Sequence, residues 1–380
     1  METIFFFMRS LILSIPFVLI CNLGFGQDIL QIALASNSPK IEKVTNNLQQ
    51  YNLQILLTTI TKNGDSVSFT DYSFQVNDSS YYYPASTVKF PIAVLAIEKI
   101  NSIESIDLET PYVIDGDSIE HSIFNDIKNI FAISSNEAFN RLFEFLGKEN
   151  INQRLRELEV GPVKIEHRLS TPNSTDTINK SLHFKPKKGN EYVVKNENSR
   201  PVKPLQMDGI FNGKAYYSDT LLVEEPMDFS KKNYLPLQTL HNIMKRVIYP
   251  STFKTDKQFK ITDNQHKTLL KLMQNLPRDA GFDQRKFHDS FGKFFLFGDS
   301  KETMPRSIKI YNKVGYAYGT LTDCSFIKDF GQDIEYILSA TLYVNQNGIL
   351  NDNQYDYDEI GIPFLAQLGR EIHEYLTTHK

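Results

Sequence analysis

Pro84-Ala85-Ser86-Thr87-Val88-Lys89 leads into Phe90-Pro91-Ile92-Ala93-Val94-Leu95-Ala96-Ile97, a run without a polar side chain. A serine and a lysine three residues apart share a helix face, so the amine can reach the hydroxyl. A lysine withdrawn from water loses proton affinity and can act as a base. The spacing alone says little, because an ordinary surface lysine is its commoner meaning. Three other Ser-x-x-Lys spacings occur, at Ser251–Lys254, Ser290–Lys293 and Ser325–Lys328. Lys254 is followed by the solvated stretch Thr255-Asp256-Lys257-Gln258. Ser290 lies among charged residues and near two glycines. Ser325 sits in alternating, strand-like sequence, where positions three apart point to opposite faces. Only Ser86 opens a helix apolar enough to be buried on most sides.

Around this stretch the chain has 380 residues, 41% hydrophobic and 23% charged, with a net charge of -4. That supports a large core, as one big domain or two lobes. Without a basic block, nucleic acid is not an expected partner. Residues 1–26 read as an export signal. Arg9 precedes Leu11–Leu23, an apolar stretch short for a membrane span, and Gly24-Phe25-Gly26 supplies small residues for cleavage before Gln27. Met8 is an alternative start. A lipid attachment at Cys21 is the second option, disfavoured by Ile20 before it, and an uncleaved anchor the third. The expected location is the periplasm or outside the cell, with no membrane span left after cleavage. Cys324 is then the one remaining cysteine, expected to be a buried small hydrophobe. No His-Glu-x-x-His, paired Cys-x-x-Cys or glycine-rich phosphate loop occurs, so no metal or nucleotide cofactor is expected.

Hydrophobic spacing predicts a helix over 38–50, then strands at Leu53–Thr61 and Ser66–Val76 around Lys62-Asn63-Gly64-Asp65. Helices follow at Phe139–Leu146, ending at Gly147, and at Ile151–Leu158. Residues 170–234 are rich in Asn, Lys, Pro and Ser. They read as an irregular excursion, interrupted by strand-like Glu191–Val194 and Leu221–Val223. Helices resume at Leu237–Ile248 and Asp263–Leu276, then strands at Ser307–Asn312, Thr320–Lys328 and Ile334–Val344, and a final helix at Phe364–Leu376. Five strands divided between the two ends imply an α+β fold: one five-stranded antiparallel sheet flanked by helices from both termini, plus a helical lobe. The expected lobes are 27–85 with 265–380, and 86–264 with the insertion, the site lying where they meet.

Two further elements carry chemistry. Ser134-Ser135-Asn136 is a polar turn between apolar runs, able to project a hydroxyl and an amide into a cleft; a plain helix N-cap is the alternative reading. Lys313-Val314-Gly315 follows a strand, and glycine there lets another backbone or a ligand come close.

Serine-x-x-lysine at a helix head, serine-x-asparagine in the helical lobe and lysine-x-glycine on a late strand occur in one order. In this the chain resembles the penicillin-recognising serine hydrolases, and among them the class A β-lactamase-like branch. The stretches concerned are Pro84–Lys89, Ala132–Asn140 and Asn312–Gly319. The order of elements is similar from residue 38 to the C-terminus, with 170–234 extra. The resemblance implies a β-lactamase/transpeptidase-like fold and an acyl-enzyme mechanism on a β-lactam or a peptidoglycan-like peptide. It implies that Ser86 attacks the carbonyl, that Lys89 takes its proton directly or through a water, and that Ser134 protonates the departing nitrogen. Asn136 would hold a substrate amide and steady Lys89, while Lys313 would face a substrate carboxylate. The N–H groups of Ser86 and Tyr316 would form the oxyanion hole, and Gly315 would keep the strand edge clear.

Two departures stand out. Val314 replaces the usual threonine or serine, leaving Tyr316, Tyr318, Thr320 or a different substrate to compensate. Aligning His167-Arg168-Leu169-Ser170 with the family's arginine-leucine-aspartate stretch puts Asn173 near the position of the deacylating glutamate, with Glu166 seven residues earlier. Asparagine is a poor general base. The rival readings are therefore a D,D-peptidase-like enzyme that β-lactams trap, and a non-catalytic sensor that kept the cleft.

Overall fold

The computed structural model describes residues 28–172 and 174–379. The expected export signal, with Cys21 and Gln27, and Asn173 lie outside the described residues. Helix α1 (Ile29–Leu34), capped by the Asp28 carboxylate, was not anticipated from the sequence. The single helix expected over 38–50 is two, α2 (Pro39–Thr45) and α3 (Leu48–Tyr51), divided at Asn46-Asn47. Asparagine side chains compete for the backbone and favour such breaks. β1 (Gln54–Asn63) and β2 (Ser66–Phe74) form the expected hairpin. Gly64 takes its φ of +61° at the turn.

A 3₁₀ turn, Ala85–Val88, carries Ser86 ahead of α4 (Lys89–Ile100). All of Lys89–Leu95, and then Ala96, Ile97 and Ile100, are buried, so α4 runs through the centre of the helical lobe. Around it lie β3 (Tyr112–Ile114), α5 (Ile123–Ile133), α6 (Asn136–Leu146) and α7 (Lys148–Glu157). The 170–234 excursion is built from short strands: β4 (Leu182–Phe184), β5 (Tyr192–Val194), β6 (Phe211–Asn212), β7 (Ala215–Ser218), β8 (Leu221–Val223) and β9 (Met227–Asp228). After it come α8 (Leu237–Ile248), α9 (Asp263–Met273), β10 (Ile308–Ala317), β11 (Thr320–Asp329), β12 (Ile334–Tyr343), β13 (Ile349–Leu350) and α10 (Ile362–Thr378). Among the described residues no helix is long and apolar enough to cross a membrane.

The expected five-stranded sheet is present, in the order β10-β11-β12-β1-β2 with every pairing antiparallel. Alternation along its strands separates two cores. Tyr336, Leu338, Ala340 and Leu342 of β12 face α1, α2 and α10. Ile337, with Cys324 and Phe326 of β11, faces the helical lobe. Cys324 is buried and unpaired, as its sequence context implied. Leu269, Leu272 and Met273 of α9 sit in the helical core, so that lobe reaches past residue 264. β10 runs five residues beyond the expected Asn312, because Ala317 pairs with Thr320 across a two-residue turn. Tyr318 and Gly319 there have φ of +53° and +81°, the pair of left-handed residues that a type I′ hairpin requires.

Candidate active site

Ser86 stands where the sheet meets the helical lobe. Its turn is closed by Thr87, whose Oγ1 donates to the Pro84 carbonyl at 2.7 Å and whose N–H donates to it at 3.1 Å. Ala85 is left-handed, with φ of +48°, an uncommon state for a residue with a Cβ. β10 is an edge strand, and the turn lies against it. A Cβ on Gly315 would come 2.7 Å from the Pro84 oxygen, 2.8 Å from the Thr87 nitrogen and 2.9 Å from the Ser86 nitrogen. The close approach foreseen at Gly315 is thus to the backbone of the serine's own turn.

Ser134 ends α5 in the left-handed region, with φ of +56°, and Ser135 caps α6 by accepting from the Ala138 N–H at 3.1 Å. Capping falls to Ser135, which leaves Ser134 and Asn136 free to face α4. Lys89 Nζ donates to the Ser134 backbone oxygen at 2.5 Å and to Asn136 Oδ1 at 2.7 Å, with Ser134 Oγ at 3.3 Å. From the sheet side, Lys313 Nζ donates to Ser134 Oγ at 2.8 Å and to the Val314 carbonyl at 2.8 Å. The Ser134 hydroxyl therefore lies between two buried amines. Burial lowers the Lys89 pKa to about 7, against a small upward pull from Glu137. Lys313 is pushed well below the ordinary lysine value, by burial first and by the neighbouring Lys89 next. Like charges in one desolvated site each favour release of a proton.

Ser86, Ser134, Asn136, Lys313, Val314 and Tyr316 line one pocket of about 230 Å³. It adjoins a cleft of about 1660 Å³ that also contains Ser86, Asn136 and Tyr316. Lys89 reaches Ser134 and Asn136 of this lining and Gly315 backs the Ser86 turn, so the seven sequence-predicted residues are neighbours. Val314 is buried in the core shared with α10, whereas the Tyr316 side chain is 46% exposed in the cleft. Of the three candidates to replace the missing hydroxyl, Thr320 is buried. The Tyr318 ring is wedged edge-on against Tyr83 at 5.0 Å and Phe229 at 5.2 Å. Through Phe229 the 170–234 excursion is fastened to the approach to Ser86.

Asn136 Nδ2 donates to Ser170 Oγ at 3.0 Å, so a hydroxyl meets this amide from the loop side. The loop is pinned by Arg168, whose Nε donates to Glu144 at 2.5 Å and whose other nitrogens donate to the Asp176 and Ile178 carbonyls. Glu166 turns to Lys148, at 3.3 Å, and is not in the cleft lining.

Sequence reasoning missed Lys293. It is fully buried, and its Nζ donates to the carbonyls of Met273 at 2.8 Å and Ile310 at 2.9 Å and to Asn312 Oδ1 at 2.6 Å. Its Ser-x-x-Lys spacing was visible, but the charged residues around it suggested solvent.

Residues 38–199, under half of the chain, match the family described as the Beta-lactamase enzyme family. PBP-A is 12% identical over 93% of this chain and 97% of its own, with a TM-score of 0.53. A β-lactamase from Desulfarculus baarsii DSM 2075 is 12% identical over 91% and 97%, with a TM-score of 0.52. The chain has the β-lactamase and penicillin-binding-protein fold. A further PBP-A structure, a variant in an acyl-enzyme complex with penicillin-G, matches at 12% identity over 92% and 96%, with a TM-score of 0.51. No curated protein matches. Identities this low speak for the fold alone. The family match over residues 38–199 is consistent with the penicillin-recognising serine hydrolases.

Proposed function

We propose that this chain is an exported serine hydrolase of the class A β-lactamase-like type, opening a β-lactam or related amide through an acyl-enzyme on Ser86. The observation that carries this is the Ser134 hydroxyl held between Lys89 and Lys313 beside Ser86. A neutral amine has two N–H groups and one lone pair. The two short contacts of Lys89, to Ser134 O and Asn136 Oδ1, use both N–H groups and leave the lone pair for the Ser86 proton. Ser86 Oγ then bonds to the carbonyl carbon, and the carbonyl oxygen takes the negative charge facing the Ser86 and Tyr316 N–H groups. As the C–N bond breaks, Ser134 gives its proton to the nitrogen and is resupplied from Lys313 or Lys89. Lys313 also attracts a substrate carboxylate. Each oxyanion donor is worth about 3 kcal/mol of barrier.

A second reading, a penicillin-binding D,D-peptidase-like enzyme with slow deacylation, is favoured by the loop. The partner that meets Asn136 there is the Ser170 hydroxyl, and Glu166 is engaged elsewhere. Incubation with a chromogenic cephalosporin and, separately, a fluorescent penicillin tests both, with Ser86→Ala as control. Turnover supports the β-lactamase; stable labelling without turnover supports the slow enzyme. Absence of labelling, or labelling that survives Ser86→Ala, removes the mechanism and leaves the sensor.

A further inference from the structure

We propose that a cationic groove along the free edge of β10, separate from the Ser86 pocket, binds an extended acidic peptide segment of a partner protein. The groove encloses about 700 Å³ and shares no lining residue with the catalytic pocket or the large cleft. Lys128 of α5, Lys271 of α9, Arg278, Arg306 and Lys309 line it, and among the described residues Asp279 is the one carboxylate of the lining. The protein as a whole carries a net charge of -4, so this excess is local. Among the described residues, Lys128, Lys271, Arg306 and Lys309 form no ion pair, while Arg278 has Asp289 at 3.2 Å. Like charges gathered in one hollow repel one another and cost stability. A negatively charged occupant relieves that repulsion. The five cations come from well-separated stretches of the chain, so no basic block announces them.

The floor of the groove decides which anion fits. The two cores meet here: Phe124 and Leu272 belong to the helical core, and Leu276, Met304 and Ile308 to the core against α10. Phe124, Leu276 and Ile308 are only half-buried. A phosphate chain gains nothing from such a floor, whereas a peptide with apolar side chains between its acidic ones takes apolar surface out of water. The strand adds main-chain groups. β10 has β11 on one side only. The Ile310 carbonyl accepts from Lys293 at 2.9 Å, so it points away from β11. The Ser307 carbonyl accepts from the Phe330 N–H at 2.9 Å and points toward it. Directions alternate along an antiparallel strand, so the N–H and C=O of Ile308 face outward with Ile310. Among the described residues no group outside the sheet takes them. An extended peptide adds to an edge of this kind through its own main chain, and side-chain contacts set its specificity. Lysines and arginines on both sides of Ile308 then meet its carboxylates.

Fluorescence anisotropy on the full chain tests this, with circular dichroism as the check on folding. The probe is a short labelled peptide alternating glutamate and valine. A lysine–valine peptide, polyglutamate and polyphosphate are the comparisons. The glutamate–valine peptide is expected to bind, and the lysine–valine peptide to fail. Adding salt to physiological strength should weaken binding several-fold. Lys271 is exposed and Lys309 half-buried, so both can be changed without opening a core. The double variant Lys271→Glu with Lys309→Glu is expected to weaken binding about tenfold or more. Ile308→Pro removes the outward N–H and leaves the ladder to β11 in place, and is expected to weaken binding about fivefold. Peptide affinity unchanged in either folded variant would overturn the inference. Polyglutamate or polyphosphate binding as tightly as the glutamate–valine peptide would overturn it too, because the groove would then be a patch of charge without selectivity. Ser86 takes no part in any of these measurements, so their outcome is independent of the acyl-enzyme reading.

Discussion

Lys89 and Lys293 are near twins in sequence and in local structure. Each follows a serine by three residues, each caps a 3₁₀ turn, and each is fully buried. They differ in what surrounds the nitrogen. Lys293 has three short contacts to oxygen, whereas Lys89 has two, with its third acceptor at 3.3 Å. Burial lowers the pKa of both amines to about 7, but Lys293 has a short contact in each of three directions and none to spare. Lys89 has the two short contacts that satisfy a neutral amine, and in the proposed mechanism its lone pair is left for the Ser86 proton. Ser290, the partner of Lys293 in the spacing, is spent on the Ser300 carbonyl and His288. The same motif serves as strut or base according to how many acceptors the fold supplies.

The sharpest way to break this comparison is to remove each amine. Lys89→Met is expected to lower the labelling rate about a thousandfold, the scale of a lost general base, with little loss in melting temperature. Lys293→Met is expected to lose about 3–5 kcal/mol of stability by urea unfolding, because its carbonyl partners stay buried without a donor. An equal loss of stability in both variants would erase the distinction. The pH profile adds a sign. Lys89 must be neutral to accept a proton, and its pKa is about 7, so wild-type labelling rises as pH climbs through 7. A rate constant from pH 5 to 8 would exclude Lys89 as the base.

Gly315→Ala asks whether the serine's turn needs the strand so close. The added methyl would meet backbone atoms of Pro84, Ser86 and Thr87 at 2.7–2.9 Å, and none of these is a flexible side-chain end. Displacing the turn by part of an ångström is expected to slow labelling about a hundredfold while Lys89 keeps its partners. Labelling at the wild-type rate would mean that the turn yields freely.

Much of this was legible beforehand. The β1–β2 hairpin, α8 and the three late strands follow from period and turn residues, because each is local. The order of the three motifs named the candidate residues, and each context selected its own element. What escaped notice depends on remote partners. β4 pairs with β3, some seventy residues away, and β7 pairs in parallel with β13, so neither strand declares itself locally. Asp289 made the Ser290 turn look solvated, yet it is buried, paired with Arg278 at 3.2 Å and accepting from the Met304 N–H at 2.9 Å. A charge neutralised by distant residues reads as exposed until the fold is known.

The smallest expected effect concerns the second serine, and it is the most direct check on the comparison. Ser290 also lines the large cleft, so a nucleophilic role would be open to it if spacing and burial were sufficient. Its hydroxyl proton is already donated to the Ser300 carbonyl, and its lysine is fully engaged with Met273, Ile310 and Asn312. Lys293 is thus not available to remove that proton, and the His288 ring at 2.9 Å meets a hydroxyl whose hydrogen is turned to Ser300. Ser290→Ala should therefore keep labelling within about threefold of wild type and lose about 1 kcal/mol of stability, the ordinary value of one buried hydrogen bond. Mass spectrometry of the labelled wild-type protein supplies the complementary test. An acyl group found on the peptide containing Ser290, or labelling abolished in Ser290→Ala with the fold intact, would mean that the count of acceptors around a buried lysine does not decide which serine is activated.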